Sequence, residues 1–453
     1  MSQDGVKNGV HTYTPQGYIA PPTQLLRDKL DWFCDQKLGF MVHFGPYTNA
    51  GLIESWALCD EDADWSQSQI DWTDDMDHFK RQYYGLNRSF NPIRLDPQRW
   101  AKTAKNAGAR YVLFTMKHHD GFCMYDSAYT NYKVTDPSCP FSNDANADIA
   151  KAVFDAFRAE QMGIAAYFSK PDWHHTDFWD NHGIGYKTTR YPSYDTAKEP
   201  ERWARFVQFL HAQVHEIADR YNPDILWFDG GWIRRETGTD PHMEELIAAV
   251  RKKHPAILAA NRTVIGCCED FITPEQQIPP SPLTIPWESC MTLTECFSYR
   301  FGETYIDLRT LIHRLMTIVA RGGNLALNVS PQPDGALPIG AVQRLEGLGT
   351  WLSQMGEAVY ATRICAPYAH DALLYTTSKD HARVYLTALW EEGQHAPESF
   401  SCPLSSTRRV QSVTALGNNT PLDFCQNGDK LTTHLQNLQQ NPYADAFRLT
   451  FEE

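Results

Sequence analysis

The chain reads as an α/β protein: an irregular (β/α)8-like barrel of the TIM type over residues 1–361, followed by a C-terminal β-sandwich over 362–453. Three observations predict this. Stretches with a 3.6-residue apolar period alternate with short, wholly apolar runs, the pattern of helices laid over parallel strands buried on both faces. Polar residues collect where those runs stop, and in parallel α/β folds the carboxyl ends of strands are where ligands bind. Past about residue 360 the texture changes to short alternating runs rich in β-branched and aromatic residues, separated by polar turns.

After a polar, Pro-containing lead, Phe40 to His43 reads as the first strand, broken by Gly45 and Pro46. Asp96 and Pro97 make an N-cap and first-turn pair for a helix through Trp100 and Ala104 that ends near Gly108. The run YVLFT at 111–115 follows and delivers Lys117, His118, His119 and Asp120. A helix over Asn146–Gln161, with Ile149, Val153 and Phe157 on one face, leads into GIAAYFS at 163–169, which delivers Lys170, Asp172 and Trp173. The long helix Pro200–Tyr221 precedes the strand Ile225–Phe228, which stops at Gly230 and Gly231 with Asp229 at its end. Further strands fit AILAA at 256–260, before Asn261, Arg262 and Thr263, then TIPWES at 284–289 and NLALNV at 324–329. A helix over Val342–Met355 closes the series, and the sandwich begins between Ala361 and Pro367. Fewer than eight helices are clear, which is why the barrel is expected to be irregular.

Bulk properties narrow the function. A chain of 453 residues exceeds one ordinary domain, and 42% hydrophobic residues supply a large core. The formal charge of −14, without basic stripes, argues against a nucleic-acid partner. No run of eighteen apolar residues is present, so no membrane span is expected. The first residues lack a basic segment followed by an apolar one, which predicts a soluble chain, cytoplasmic as it stands, or periplasmic or secreted if an export signal has been removed. Eleven scattered cysteines without CxxC spacing fit a reducing compartment and no structural metal. Association into a homo-oligomer is left open.

Collected from the run ends, the polar set is His43, Glu54, His118, His119, Asp172, Asp229, Arg262 and Glu288, interleaved with Trp56, Tyr167, Trp173, Trp227 and Trp287. Aromatic faces stack on the C–H surfaces of a sugar while imidazole, carboxylate and guanidinium groups bind its hydroxyls. Glycoside hydrolysis requires two carboxylates, and Asp229 and Glu288 could supply them. Asp229 otherwise caps its own turn, Arg262 is otherwise a surface charge, and Glu288 is otherwise a satisfied core carboxylate. The His118-His119 pair could bind metal, but neighbouring side chains on a strand point to opposite faces and no third spaced ligand follows, so no metal is expected.

The strings KLGFMVHFGPY, ESW at 54–56, KHHDGFCMYDSAYTNY, YFSKPDWH, PDILWFDGGW, WESCMT and GGNLALNVSPQPDG occur in this order between residues 37 and 335. Together they resemble the α-L-fucosidase family of retaining glycoside hydrolases, family twenty-nine. The resemblance implies that Asp229 is a nucleophile forming a glycosyl-enzyme and that Glu288 is the acid/base. It implies a fucose pocket of His43, His118, His119, Tyr167, Trp227 and Arg262, with Glu54 and Trp56 in a loop of variable length. It also implies a fucosylated oligosaccharide or glycoconjugate as substrate, and no metal or other cofactor.

Asn261 stands where many relatives carry Asp, and Ser330 replaces a usual Gly; neither is expected to touch the chemistry. Glu295 competes with Glu288 for the acid/base role. Two other readings are an α-L-galactosidase, decided by an apolar wall for which Phe44, Trp227 and Phe297 are candidates, and a catalytically dead sugar-binding protein. Linkage preference is expected to reside in the loops 60–64 and 176–195.

Overall fold

Each apolar run of the first 330 residues lies in a strand or beside one, and the amphipathic stretches are laid outside them. The computed structural model describes residues 17–264 and 266–452. Residues 1–16, part of the polar lead, and Glu453 lie outside the described residues, so the reading of the chain's first residues is not addressed by it.

The elements are α1 (Gln24–Gln36), β1 (Leu38–Val42), α2 (Met76–Tyr84), α3 (Pro97–Asn106), β2 (Tyr111–Lys117), α4 (Ile149–Ala159), β3 (Gly163–Ser169), α5 (Pro200–Tyr221), β4 (Ile225–Asp229), α6 (Met243–Lys253), β5 (Leu258–Asn261), β6 (Glu288–Thr292), α7 (Leu308–Ala320), β7 (Asn324–Asn328) and α8 (Ile339–Met355). Asp96, Asp148 and Asp307 cap α3, α4 and α7 by accepting the N–H groups of Arg99, Lys151 and Thr310. The cap at Asp148 starts α4 two to three residues later than the apolar period alone suggests.

The seven strands form one curled parallel sheet in the order β5-β4-β3-β2-β1-β7-β6. Between its edges runs the irregular segment 268–276. Asp270 N–H donates to Ala259 O on β5, while Glu288 N–H donates to Ile272 O and Gln276 N–H to Cys290 O on the β6 side. This segment occupies the place of an eighth strand.

Side chains alternate across the sheet as strand geometry requires. Met41, Leu113, Tyr167, Trp227 and Ala326 fill the interior, while Phe40, Val112, Phe114, Ile164 and Phe228 pack outward under the helices. The N-terminal end of the barrel is plugged by α1. Phe33 stacks on Phe271 at 4.2 Å and meets Tyr111 edge-on at 5.8 Å, and Asn324 Nδ2 donates to Phe33 O.

One strand departs from the sequence reading in a way that matters. Glu288 does not lie near the end of a strand over TIPWES at 284–289; β6 begins at it, in register with Asn324, the first residue of β7. Pro286 has no N–H for a ladder, so the regular pairing starts only after Trp287.

From Thr362 onward the strands are antiparallel: β8 (Thr362–His370), β9 (Leu373–Ser378), β10 (Arg383–Leu389), β11 (Ser399–Pro403), β12 (Val410–Ala415), β13 (Thr420–Leu422), β14 (Phe424–Asn427), β15 (Lys430–His434) and β16 (Ala444–Phe451). They form a six-stranded sheet, β13-β12-β16-β10-β9-β8, and a three-stranded one, β11-β15-β14. Tyr375, Leu386 and Phe447 of the larger sheet share a core with Cys402 and Leu431 of the smaller. Trp351 Nε1 on α8 donates to Ala444 O, joining the two parts. Among the described residues no helix is long and apolar enough to cross a membrane.

Candidate active site

The C-terminal ends of β1, β2, β3, β4 and β5 converge on Asp229. Its Oδ2 accepts the Tyr167 hydroxyl at 2.6 Å. Its Oδ1 accepts Gly230 N–H at 2.7 Å and Arg262 Nη1 at 3.2 Å, and His119 Nε2 lies 3.6 Å from Oδ2. Gly230 reaches this position at φ +89°, where a Cβ would also meet Pro171 Cδ at 2.4 Å. The expected turn cap is thus present, and it serves the carboxylate. Burial works to raise the Asp229 pKa, but Arg262, His119, Tyr167 and Gly230 outweigh it and hold the carboxyl well below the ordinary range.

Arg262 is 7% exposed and is no surface charge. One side of its guanidinium pairs with Asp229 and the other with Glu275 Oε2, while the guanidinium carbon sits 5.7 Å from the centre of the Trp227 ring. Glu275 lies in the irregular eighth segment, bridged to Cys290.

Three imidazoles line the other wall. His43 Nδ1 pairs with Asn328 Oδ1 at 2.9 Å, and its ring packs on Phe297 at 4.9 Å. His118 Nδ1 pairs with the Ser55 hydroxyl and stacks on Tyr167. Burial lowers His43 to about 4 and His119 to about 3, and takes His118 well below its usual value, so all three are neutral near pH 7. His119 is fully buried, and among the described residues neither ring nitrogen has a hydrogen-bond partner. A buried imidazole facing a carboxylate with no partner is suited to receive a ligand hydroxyl.

The expectation that His118 and His119 diverge fails. β2 ends at Lys117, so both lie beyond the ladder in a turn closed by Gly121 N–H on His118 O. Their ring centres are 4.3 Å apart, and one donor atom from each falls within 4.8 Å of the other and of Asp229. Asp229 already has Arg262 as counter-ion, and a metal ion there would meet that positive charge.

Glu54 and Trp56 join the group. Glu54, at φ +39°, accepts Ser298 N–H at 2.6 Å and is pushed up to about 7, chiefly by burial. Trp56 meets His119 edge-on at 5.2 Å. Tyr167 stacks on Trp227 at 5.3 Å.

Glu288 does not belong to this cluster. As the first residue of β6 it lies at the N-terminal level of the barrel, 1% exposed. Its oxygens accept the Tyr111 hydroxyl and Trp227 Nε1, the latter at 3.0 Å. Burial pushes it up to about 7 against those two hydrogen bonds, with no charged group among the described residues contributing to the shift. The raised value expected for an acid is there, but the position is that of a core carboxylate.

Other expected members also move out. Asp172 pairs with Lys117 at 3.0 Å and receives the N–H groups of His174 and His175, Trp287 packs over Gly323 outside the barrel, and Phe44 packs with Phe90 and Trp100 in the outer core. Phe297 alone of the two Phe wall candidates touches the pocket. Asn261 and Ser330 each lie one contact from it: Lys170 Nζ donates to Asn261 Oδ1 at 2.7 Å, and Ser330 donates to Phe297 O.

A parallel barrel whose strand ends gather an ionised aspartate, a second carboxylate, neutral imidazoles and indoles around one pocket is a glycoside hydrolase. The chain matches the family described as Alpha-L-fucosidase over residues 8–357 and belongs to that family. It is 27% identical over 456 residues to the tissue alpha-L-fucosidase of Rattus norvegicus, covering 95% of this chain and 90% of the rat protein. Its fold matches alpha-L-fucosidase isoenzyme 1 of Paenibacillus thiaminolyticus with TM-score 0.77 at 25% identity, over 95% of this chain and 100% of that one. It also matches the Thermotoga maritima alpha-fucosidase with TM-score 0.73 at 26% identity, over 95% and 100% of the two chains.

Proposed function

We propose that Asp229 is the nucleophile and Glu275 the acid/base of this retaining α-L-fucosidase, which releases terminal α-L-fucosyl residues from oligosaccharides or glycoconjugates. The observation that supports this is the single guanidinium of Arg262 spanning Asp229 and Glu275 at the C-terminal rim. That bridge is compatible with the separation of about 5 to 5.5 Å at which two carboxyl groups flank one glycosidic bond in retaining enzymes. Glu275, with its side chain 23% exposed, can exchange protons with water; Glu288, beneath Trp227, has no such path. The earlier expectation of Glu288 is therefore set aside on position, despite its raised pKa.

Asp229 is ionised by its partners and attacks the anomeric carbon while Glu275 gives its proton to the departing oxygen. Esterification removes the charge on Asp229 and leaves Glu275 as the counter-ion of Arg262. Glu275 then takes a proton from water, which attacks the same carbon, returns the α-anomer and frees Asp229. His43, His118 and His119, neutral and at the pocket wall, are placed to bind the sugar hydroxyls with Glu54.

The test is azide rescue with an aryl α-L-fucoside. Asp229→Ala should yield the β-fucosyl azide by one inversion, and Glu275→Ala the α-fucosyl azide by two. If Glu288→Ala rather than Glu275→Ala gives the rescued α-azide, the acid/base assignment is wrong; a β-anomer as the first product of the native enzyme would end the retaining mechanism.

A further inference from the structure

We infer that Trp65, with Trp56 and Arg190, forms the site that holds the leaving saccharide, a neutral pyranose directly beyond the fucose pocket. The inference rests on the fucosidase reading and specifies its aglycone. A continuous path of rings leads outward from the nucleophile. His119 lies 3.6 Å from Asp229, its ring is 5.2 Å from Trp56, and Trp56 is 6.0 Å from Trp65. Buried at the pocket and half-buried at Trp56, this path ends in an indole that is 47% exposed at Trp65. Placed at the end of this path of rings, the exposed indole offers a flat apolar face on which a sugar ring can stack.

The shelf is built in advance. The loop carrying both indoles is bound to the loop 176–195 by several contacts: Thr188 N–H and its hydroxyl donate to Asp60 Oδ1 at 2.5 and 2.8 Å, and Glu61 N–H donates to Thr188 O. Lys80, fully buried, ties Asp60 to Gly183 O. Arg190 Nε donates to Asp62 Oδ2 at 2.7 Å, which sets its guanidinium 5.2 Å from Trp56 and 5.3 Å from Trp232. A guanidinium has five N–H donors in a planar fork, so it can hydrogen-bond hydroxyls while the indoles take the C–H face of a sugar. Preorganised loops lose little ordering entropy on binding.

Charge selects the class of aglycone. The acidic stretch Asp60–Asp64 lies in the same loop as the two indoles; Lys80 and Arg190 pair with Asp60 and Asp62, while Glu61 and Asp64 remain exposed. The excess negative charge disfavours a sialylated or sulfated saccharide and leaves a neutral one.

The experiment compares two substrates of the full chain: α-L-fucosyl fluoride, whose leaving group occupies no shelf, and the best cleaved member of a panel of neutral fucosylated trisaccharides. In Trp65→Ala the ratio of kcat/KM for trisaccharide to that for fluoride should fall about tenfold, as expected for loss of one stacking contact. Trp65→Phe, which keeps a ring, should recover part of it. Trp72→Ala, removing an equally exposed indole that packs on Phe79 and has no ring contact with Trp56 or Trp65 among the described residues, should leave the ratio unchanged. An unchanged ratio in Trp65→Ala overturns the proposal, whether both substrates slow together or neither does. A native enzyme that cleaves neither substrate overturns the fucosidase reading instead.

Discussion

The upper and lower levels of the barrel interior each hold a buried carboxylate, and the pKa values of the two are driven in opposite directions. At the upper level Asp229 meets a guanidinium, a tyrosine hydroxyl and a backbone N–H, and ionises against its own burial. At the lower level Glu288 meets only the neutral donors Tyr111 and Trp227, and burial wins, pushing it up to about 7. Trp227 contributes to both: its indole N–H donates to Glu288, and its ring carries Tyr167 and Arg262 on the side of Asp229. On the assignment proposed above, a perturbed pKa is no sufficient sign of a catalytic group. The level on the strand and the sign of the nearest charge separate the two cases.

The largest effect that tests this contrast is at Asp229. Asp229→Asn should lower kcat/KM on an aryl fucoside by about 10³-fold or more. It should also lower the melting temperature, because Arg262 then loses the ionised partner that balances its charge in a buried site. Next in size, Glu275→Gln should lower kcat/KM by about 10²-fold, with the loss growing as the leaving group becomes more basic. Glu288→Gln keeps the shape of the side chain and can keep most of its hydrogen bonding to Tyr111 and Trp227, so it should stay within about tenfold of the native enzyme. If Glu288→Gln loses more activity than Glu275→Gln, the two levels have been assigned the wrong roles.

How much of this was legible follows the same division. The strands β2, β3 and β4 are written as largely apolar runs, and Asp96 announces its helix as an N-cap; the caps at Asp148 and Asp307 emerge only in the structure, where α4 starts later than its apolar period suggests and α7 follows a stretch with no sequence reading of its own. Asp229, Arg262 and the histidines are legible because each directly follows such a run. Glu275 is not, since segment 268–276 has no period of its own and its place is fixed only by the hydrogen bonds it makes to β5 and β6. The level of Glu288 is hidden for a related reason: TIPWES looks like the strand, but Pro286 delays the ladder and turns an apparent strand end into a strand start. The convergence of His118 and His119 depends on where β2 stops, which residue spacing alone does not reveal.

A smaller and oppositely signed effect is expected in the dependence of stability on pH. His43 and His119 have folded pKa values of about 4 and about 3, below their unfolded values near 6.5. Between those limits the unfolded chain binds the extra protons, so their contribution to stability falls as pH drops from about 6.5 toward 4. Glu288 is raised instead, from about 4.5 to about 7, so the native state holds the extra proton and its contribution is lost as pH rises through 7. Glu288→Gln removes that second contribution alone. The melting temperature of the native protein minus that of the variant should therefore shrink from pH 5 to pH 8, measured by calorimetry. A difference that widens with pH would place a charged, stabilised Glu288 in the barrel and undo the contrast with Asp229.

The smallest effect concerns Lys170, which follows β3 at the upper level and donates its N–H to Asp229 O at 3.0 Å. Its Nζ is fully buried on the neutral amide of Asn261, and burial lowers it to about 7 against the pull of Asp229 and Glu269. The folded value lies below the unfolded one near 10.4, so the native protein should gain stability as pH rises from 7 toward 10. Asn261→Asp places a carboxylate on the ammonium, which stabilises the charged form and should flatten that rise. The variant should thus be most favourable relative to native at or below pH 7 and lose this advantage by pH 10, with kcat/KM at neutral pH changed by less than about tenfold. A melting difference independent of pH would mean that Lys170 is charged throughout, and that the upper level tolerates a buried cation on an amide alone.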